Sequence, residues 1–200
     1  MAINLSKGQK IDLKKRDGTT LKTFYVGANW GAIEEKGFFG SKKVAVDLDL
    51  SIGTFSKSKE LLEVIYFGNL STNGIKHSGD DLVGDEEGDD GLDNEVIEVN
   101  LNTIDSEVDQ IVFVLNSYKG QDFATIPYAS LRIYEGKAEK VDHVVATYNI
   151  AHDAKFANHV SMILGKLSHI NNEWKFTAIG EAIKDKQLRE TLNTVEKHFL

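Results

Sequence analysis

Apolar and polar residues alternate with a period of two along most of this chain, which is the pattern of β-strands. In "VAVDLDLS", Val44, Val46, Leu48 and Leu50 share one face while Ala45, Asp47, Asp49 and Ser51 share the other. This predicts a half-buried strand with a polar outer edge. "QIVFVLNS", Gln110 to Ser117, is apolar on both faces and predicts a central strand covered on both sides. Similar runs fall at Leu21–Val26, Leu62–Phe67, Glu95–Leu101, Tyr128–Tyr134, Val141–Ile150, Val160–Leu167 and Glu173–Ile179. Many short strands at this spacing predict an all-β sandwich or barrel. Asn171 and Asn172 stand between two such runs, and Asn tolerates the positive φ of a tight hairpin, so antiparallel order is expected there.

The period changes near the end. Leu188, Leu192, Val195 and Phe199 recur at helical spacing within Glu181–Phe199, with Lys, Glu and Arg on the opposite side. A C-terminal amphipathic helix is expected over 181–199, docked on the sandwich, since packing is the commoner fate of such a face than a membrane surface. No internal repeat or linker divides the chain, so residues 1–200 are expected to form one domain.

Charge alters the picture in one place. The net charge is −8, yet ten of the 31 acidic residues lie between Asp80 and Glu98 with no lysine or arginine among them. The other 21 face 23 basic residues, so the acidity is one local object. A near-neutral remainder without a Lys/Arg cluster argues against nucleic acid as a partner. Cysteine is absent, which excludes disulfides, thiolate metal sites and a cysteine nucleophile. The first residues, "MAINLSKGQKIDL", lack the apolar core of a secretory signal, and no stretch approaches the ~20 apolar residues that span a bilayer. A cytoplasmic protein is the expectation.

The acidic stretch "HSGDDLVGDEEGDDGLDNE", His77 to Glu95, has the chemistry of a hard-cation site. Calcium takes six to eight oxygens in flexible geometry. The aspartates supply carboxylates, while Gly79, Gly84, Gly88 and Gly91 let the backbone curl and present carbonyls. The alternative is a solvated acidic run, against which stand the regular glycines and the position between two strand patterns in mid-chain. An EF-hand is excluded: a loop begun at Asp85 has Asp90 where glycine is needed and Val96 where glutamate is needed. Asp47 and Asp49 form a second acidic pair, leaving one strand face together at Cα atoms roughly 7 Å apart. They matter if the fold brings that strand beside Asp80.

Other patterns carry less. His77, Ser78 and Asp80 are the residue types of a hydrolase triad, but no nucleophile elbow surrounds them. His152 and His159 lack zinc-site spacing and read as surface or packing residues. "VGANWGAI" lacks the GxxxxGK[ST] pattern of a phosphate loop, and Trp30 reads as a core aromatic.

Six segments together carry a family resemblance: "AINLSKGQKIDL" (2–13), "VGANWG" (26–31), "VDLDLS" (46–51), "YFGNLSTNGIKHSGDDLVGDEEGDD" (66–90), "IVFVLNSY" (111–118) and "WKFTAIGE" (174–181). In this order they resemble the TerD family of calcium-binding stress-response proteins tied to tellurite resistance, with HSGD followed by GDD as the specific mark. The resemblance implies a β-sandwich of two antiparallel sheets holding two or more Ca2+ ions at one end. Carried onto this chain, the implied ligands are Asp47, Asp49, Asp80, Asp81, Asp85, Glu87, Asp89, Asp90 and Glu95, with carbonyls such as those of Leu48 or Val83. Residues Gly91 to Asn94 intervene where the shorter family pattern has Glu directly after Asp-Asp, so either Glu95 keeps that role or Asp93 replaces it. Asn is frequent in relatives where Asp81 stands, and tighter binding is the expectation from the extra charge.

The implied function is a calcium-binding interaction module, in which Ca2+ orders the acidic end for docking and the partners include a TerC-like membrane protein and TerB-like metal binders. The alternative is a two-metal hydrolase acting on phosphoryl or ester substrates. Calcium is a poor Lewis acid for that work, and only His77 stands near as a general acid. Calcium-dependent membrane docking is a lesser possibility, since the loop offers Leu82, Val83 and Leu92 but no basic flank for anionic lipid.

Overall fold

Two sheets face each other, as the alternating strands require. The computed structural model describes residues 2–15, 17–37, 40–150 and 156–200, with only the backbone described at 36 and 37. One sheet has the order β1 (Ile3–Asn4), β13 (Lys140–Asn149), β12 (Ala129–Lys137), β3 (Thr23–Trp30), β10 (Glu95–Asn100), β9 (Ile75–His77) and β8 (Ser71–Thr72). The other has the order β2 (Lys10–Asp12), β15 (Glu173–Ile183), β14 (Ser161–Ile170), β11 (Val108–Ser117), β6 (Leu48–Ser56) and β7 (Leu61–Ile65). Among the described strands of these two sheets, pairing is antiparallel except where β1 lies parallel to β13. A separate charged hairpin joins β4 (Ile33–Gly37) to β5 (Gly40–Val44), with Glu34 opposite Lys43 and Glu35 opposite Lys42.

The inner faces meet in one cluster that includes Phe24, Trp30, Leu48, Leu50, Phe113, Phe123 and Phe176. β11 lies between β6 and β14 and is covered on both faces, as its apolar run predicts. Its inward Ile111, Phe113 and Leu115 join the main core, while Val112 and Val114 face a second cluster with Leu192 and Val195. Those two residues belong to α1 (Leu188–His198), which therefore packs on the outer face of the six-stranded sheet. The hairpin between β14 and β15 turns at Asn171 and Asn172 with φ of 51° and 64°, the conformation of a two-residue primed turn.

Two sequence expectations are corrected. The helix begins at Leu188 rather than Glu181, because β15 continues to Ile183. Its pairing with β14 shifts register around Gly180, whose φ of 61° lets the strand bulge and carry on. Second, "VAVDLDLS" is not one strand with a wet edge: Val44 ends β5, Leu48 starts β6, and Asp47, Asp49 and Ser51 are all buried. The outer face of that sheet is covered at this point, so alternation places polar groups under cover. Trp30 is a core residue as expected, its indole N–H donating to the Val46 carbonyl at 2.8 Å. His159 is half-buried, and His152 lies outside the described residues. Among the described residues no helix is long and apolar enough to cross a membrane.

Candidate metal centre

The acidic residues collect at one end of the sandwich because β9 and β10 are antiparallel neighbours joined by residues 78–94, with Ile97 opposite His77. This connection is stitched to the strand ends beside it. Asp85 N donates to Trp30 O and Ala32 N donates to Asp85 O, both at 3.0 Å, while Val46 N donates to Val83 O at 3.1 Å. Gly84 sits against Trp30 with φ of 67°, and a Cβ there would meet the indole at 2.6 Å. A glycine is therefore required where the loop crosses the core aromatic.

Two carboxylate triads result. Asp47, Asp49 and Asp80 each offer an oxygen within 4.8 Å of the others, and Asp85, Asp89 and Asp90 do the same. The first triad draws Asp47 from just before β6, Asp49 from its second position and Asp80 from the loop leaving β9, so the strand and the loop do meet. Burial pushes the Asp49 carboxyl up to about 7, reinforced by the charges of Glu95, Asp47 and Asp80. Asp80 is raised for the same reasons, burial first and Asp47 next. Like charges brought this close under partial cover are stable only with a compensating cation or a bound proton. Lys119 provides partial compensation, its Nζ 3.1 Å from Asp47 Oδ2, although the lysine side chain is half exposed. For a divalent cation at this triad, replacing Lys119 with Gln is expected to raise affinity about three- to fivefold, read by titration calorimetry, because the half-exposed ammonium no longer competes for Asp47.

Neutral donors shape the second triad. The Tyr128 hydroxyl donates to Asp85 Oδ2 at 2.8 Å; burial and the Asp85 contact raise its pKa, so it keeps its proton. Asn94 Nδ2 donates to Asp85 Oδ1 at 3.1 Å while its Oδ1 accepts from Trp30 N at 2.8 Å. Asn29 Nδ2 donates to Leu92 O and, at 3.3 Å, to Asp89 Oδ1. Asn29 Oδ1 is buried without a hydrogen-bond partner among the described residues. It is the amide nitrogen of Asn29 that faces Asp89, so the three carboxylates themselves are the oxygen donors this cluster offers a hard cation.

The remaining implied ligands fall elsewhere. Asp81 lies outside both triads, its Oδ1 accepting from Val83 N and Gly84 N at 2.9 Å in a turn. Glu87 is exposed and also outside them. Glu95 is fully buried: its Oε2 accepts from Leu50 N at 2.7 Å and its Oε1 from Asp81 N at 3.3 Å. His77 Nε2 lies 3.5 Å from that carboxylate and 2.9 Å from Leu50 O, while Gly79 N donates to Nδ1 at 3.0 Å. An amide pointing at Nδ1 fixes the Nε2–H tautomer and commits both ring nitrogens. Glu95 and His77 thus lock the start of β6 to the loop, beneath Asp49. Asp93 lies outside both triads, its carboxylate buried 2.7 Å from Arg132 Nε in an ionic contact rather than a well-aligned hydrogen bond. Arg132 also donates from Nη2 to Gly91 O at 2.7 Å, pinning the inserted segment to β12.

Asn29, Asn94, Tyr128, Arg132 and Lys119 escape a sequence reading directed at acids. Four of them are polar residues in or beside a strand end and Arg132 lies within β12, and only the register brings them to the loop.

The profile of the TerD domain matches residues 1–194. The chain belongs to the TerD family. It is 34% identical to stress response protein SCP2 of Bacillus subtilis (strain 168), covering 96% of this chain and 98% of that protein. It is 29% identical to tellurium resistance protein TerZ of Serratia marcescens, covering 93% of each. A crystal structure of a homologue of the telluride resistance protein TerD from Streptomyces coelicolor A3(2) shares the fold, with a TM-score of 0.65, 13% identity and coverage of 84% of this chain and 94% of that one. The TerD-family fold therefore accommodates wide sequence divergence around the same sandwich.

Proposed function

We propose that this TerD-family protein is a calcium-binding interaction module of the tellurium-resistance and stress-response system, holding one ion at Asp47, Asp49 and Asp80 and a second at Asp85, Asp89 and Asp90. The observation that carries this reading is the convergence of two separate carboxylate clusters, in one of which burial, and then neighbouring charge, raises the Asp49 carboxyl. Neither cluster contains a nitrogen or sulfur ligand, which favours calcium over zinc. Calcium orders the acidic end as a docking surface, for which TerC-like and TerB-like proteins are the proposed partners. The hydrolase alternative needs metals about 3.5–4 Å apart. Among the described residues the two triads share no carboxylate to bridge such a pair, and His77 is committed on both nitrogens.

Titration calorimetry tests the proposal. Two ions are expected per chain, with Asp80→Asn and Asp89→Asn each removing one; a single stoichiometry unaffected by either substitution would sink it. The same titration carries a pH dependence. With the Asp49 carboxyl at about 7 in the metal-free protein, the ionised ligand is already present at pH 8 but a proton must be displaced at pH 6. First-site affinity is expected to fall about tenfold from pH 8 to pH 6, with proton release visible as a buffer-dependent heat.

A further inference from the structure

A cleft of about 430 Å³ opens beside the first triad, between the start of β6, the end of β11 and the residues entering α1. Asp49 belongs to its lining, together with Ser51, Asn116, Tyr66, Phe67 and Tyr118. The buried polar groups are incompletely satisfied. Asn116 Nδ2 donates to Ser161 Oγ at 2.6 Å and to Thr191 Oγ1 at 2.9 Å. Both hydroxyls spend their own protons on backbone carbonyls, Ser161 on Asp185 O at 2.5 Å and Thr191 on Gln187 O at 3.3 Å. The amide orientation is therefore determined, and Asn116 Oδ1 is left as a buried acceptor without a partner among the described residues, as is Ser51 Oγ. Asn116 is 4% exposed and Ser51 not at all.

An acceptor that cannot donate asks for a ligand with N–H or O–H groups. The carboxylate of Asp49 selects a cation among these, and the aromatic side supplies a matching surface. Phe67 stacks edge-on between Tyr66, 5.2 Å away, and Tyr118, 6.0 Å away. Phe67 and Tyr118 nevertheless remain 38% and 66% exposed. Aromatic faces next to a carboxylate hold alkylammonium and alkylguanidinium groups, covering the stem and attracting the charge. Two features act against a cation: Lys186 at the rim and the positive end of α1. Lys186 is exposed, so its head can turn to water, and the Glu190 carboxylate accepts from Lys186 N at 2.9 Å beside the first turn of the helix.

We propose that this cleft binds the guanidinium or ammonium head of an alkylamine through Asp49, Asn116 Oδ1 and Ser51 Oγ, with Tyr66, Phe67 and Tyr118 covering the stem. Because Asp49 also belongs to the first triad, calcium and the organic cation oppose one another there; this second half rests on the calcium reading above. Binding energies at two such sites are reciprocal, so each ligand weakens the other by the same factor.

The test is an NMR titration of the full chain with agmatine in EGTA, which removes calcium from the question. Saturable shifts at the cleft residues are expected. Tyr118→Ala and Ser51→Ala are each expected to weaken agmatine about three- to fivefold without lowering the melting temperature, since one side chain is exposed and the other makes no hydrogen bond. Lys186→Gln is expected to tighten it. Absence of saturable shifts, or an unchanged Kd in both weakening variants, would overturn the site. A capped arginine peptide titrated in parallel separates the sources: tighter binding than agmatine assigns the cleft to a partner's side chain, weaker binding to a free amine. Repeating the agmatine titration in Ca2+ should raise its Kd, and an unchanged value refutes the opposition. Direct calcium titration of the same sample keeps a failure of the calcium reading distinct from a failure of the cleft.

Discussion

Melting temperatures in Ca2+ and in EGTA are expected to differ by about 10–20 °C. An ion bound only by the folded state stabilises it by RT ln(1 + [L]/Kd), about 2.7 kcal/mol at a hundredfold excess over Kd, and two independent sites double this. In a chain of 200 residues each kcal/mol moves the midpoint by about 2–4 °C. The sign follows from the first triad, where burial and neighbouring charge raise Asp49 and Asp80 in the metal-free fold. A carboxyl whose folded-state pKa exceeds its unfolded value stabilises the fold at low pH, and that contribution is lost as pH rises through the folded value. Without calcium the midpoint should therefore fall between pH 5 and pH 8; with calcium that decline should flatten. Scanning calorimetry that gave superimposable curves with and without calcium would count against both triads.

The second large effect concerns Arg132, which touches neither triad. Replacing it with Met leaves the Asp93 carboxylate buried and unpaired, and stranding one member of a buried ion pair costs about 3–5 kcal/mol. Burial alone already raises the Asp93 carboxyl, and Arg132 is the chief influence opposing that rise. Arg132→Met is expected to lower the melting midpoint by about 10 °C. It should also weaken calcium at Asp85, Asp89 and Asp90 more than at the first triad, because the bond from Arg132 to Gly91 O is lost as well. Adding Asp93→Asn to the variant should restore part of the stability, since a neutral amide costs less to bury than an unpaired charge. If the single substitution proved neutral by denaturant unfolding, the insertion would not be anchored in this way.

The strands were legible because a period of two survives any tertiary context, and the long runs in β11, β13 and β14 reproduce within a few residues. The shortest strands, β1, β2, β8 and β9, are too brief to show a period. The helix start was misplaced because Glu181 and Lys184 read as a polar helix face, whereas a bulge at Gly180 keeps the chain in the sheet as far as Ile183. At the acidic end, composition pointed to the region and the resemblance to its chemistry. The division of labour within it was not legible. Asp93 pairs with an arginine 39 positions away and Glu95 with His77 on the neighbouring strand, contacts that depend on register rather than on local pattern. Asp47 and Asp49 looked solvent-facing because alternation distinguishes two faces but not which of them is covered.

The first triad joins the two sheets: Asp47 precedes and Asp49 belongs to β6 of one, and Asp80 follows β9 of the other. A divalent ion shared by all three would clasp the open edge of the sandwich, closing a chain segment of about 30 residues as a covalent cross-link does. This chain has no cysteine with which to make such a bond. Its clasp would be undone by chelation or acid rather than by reduction, so the rigidity of this end of the molecule would follow the supply of free calcium and ignore the thiol balance of its surroundings.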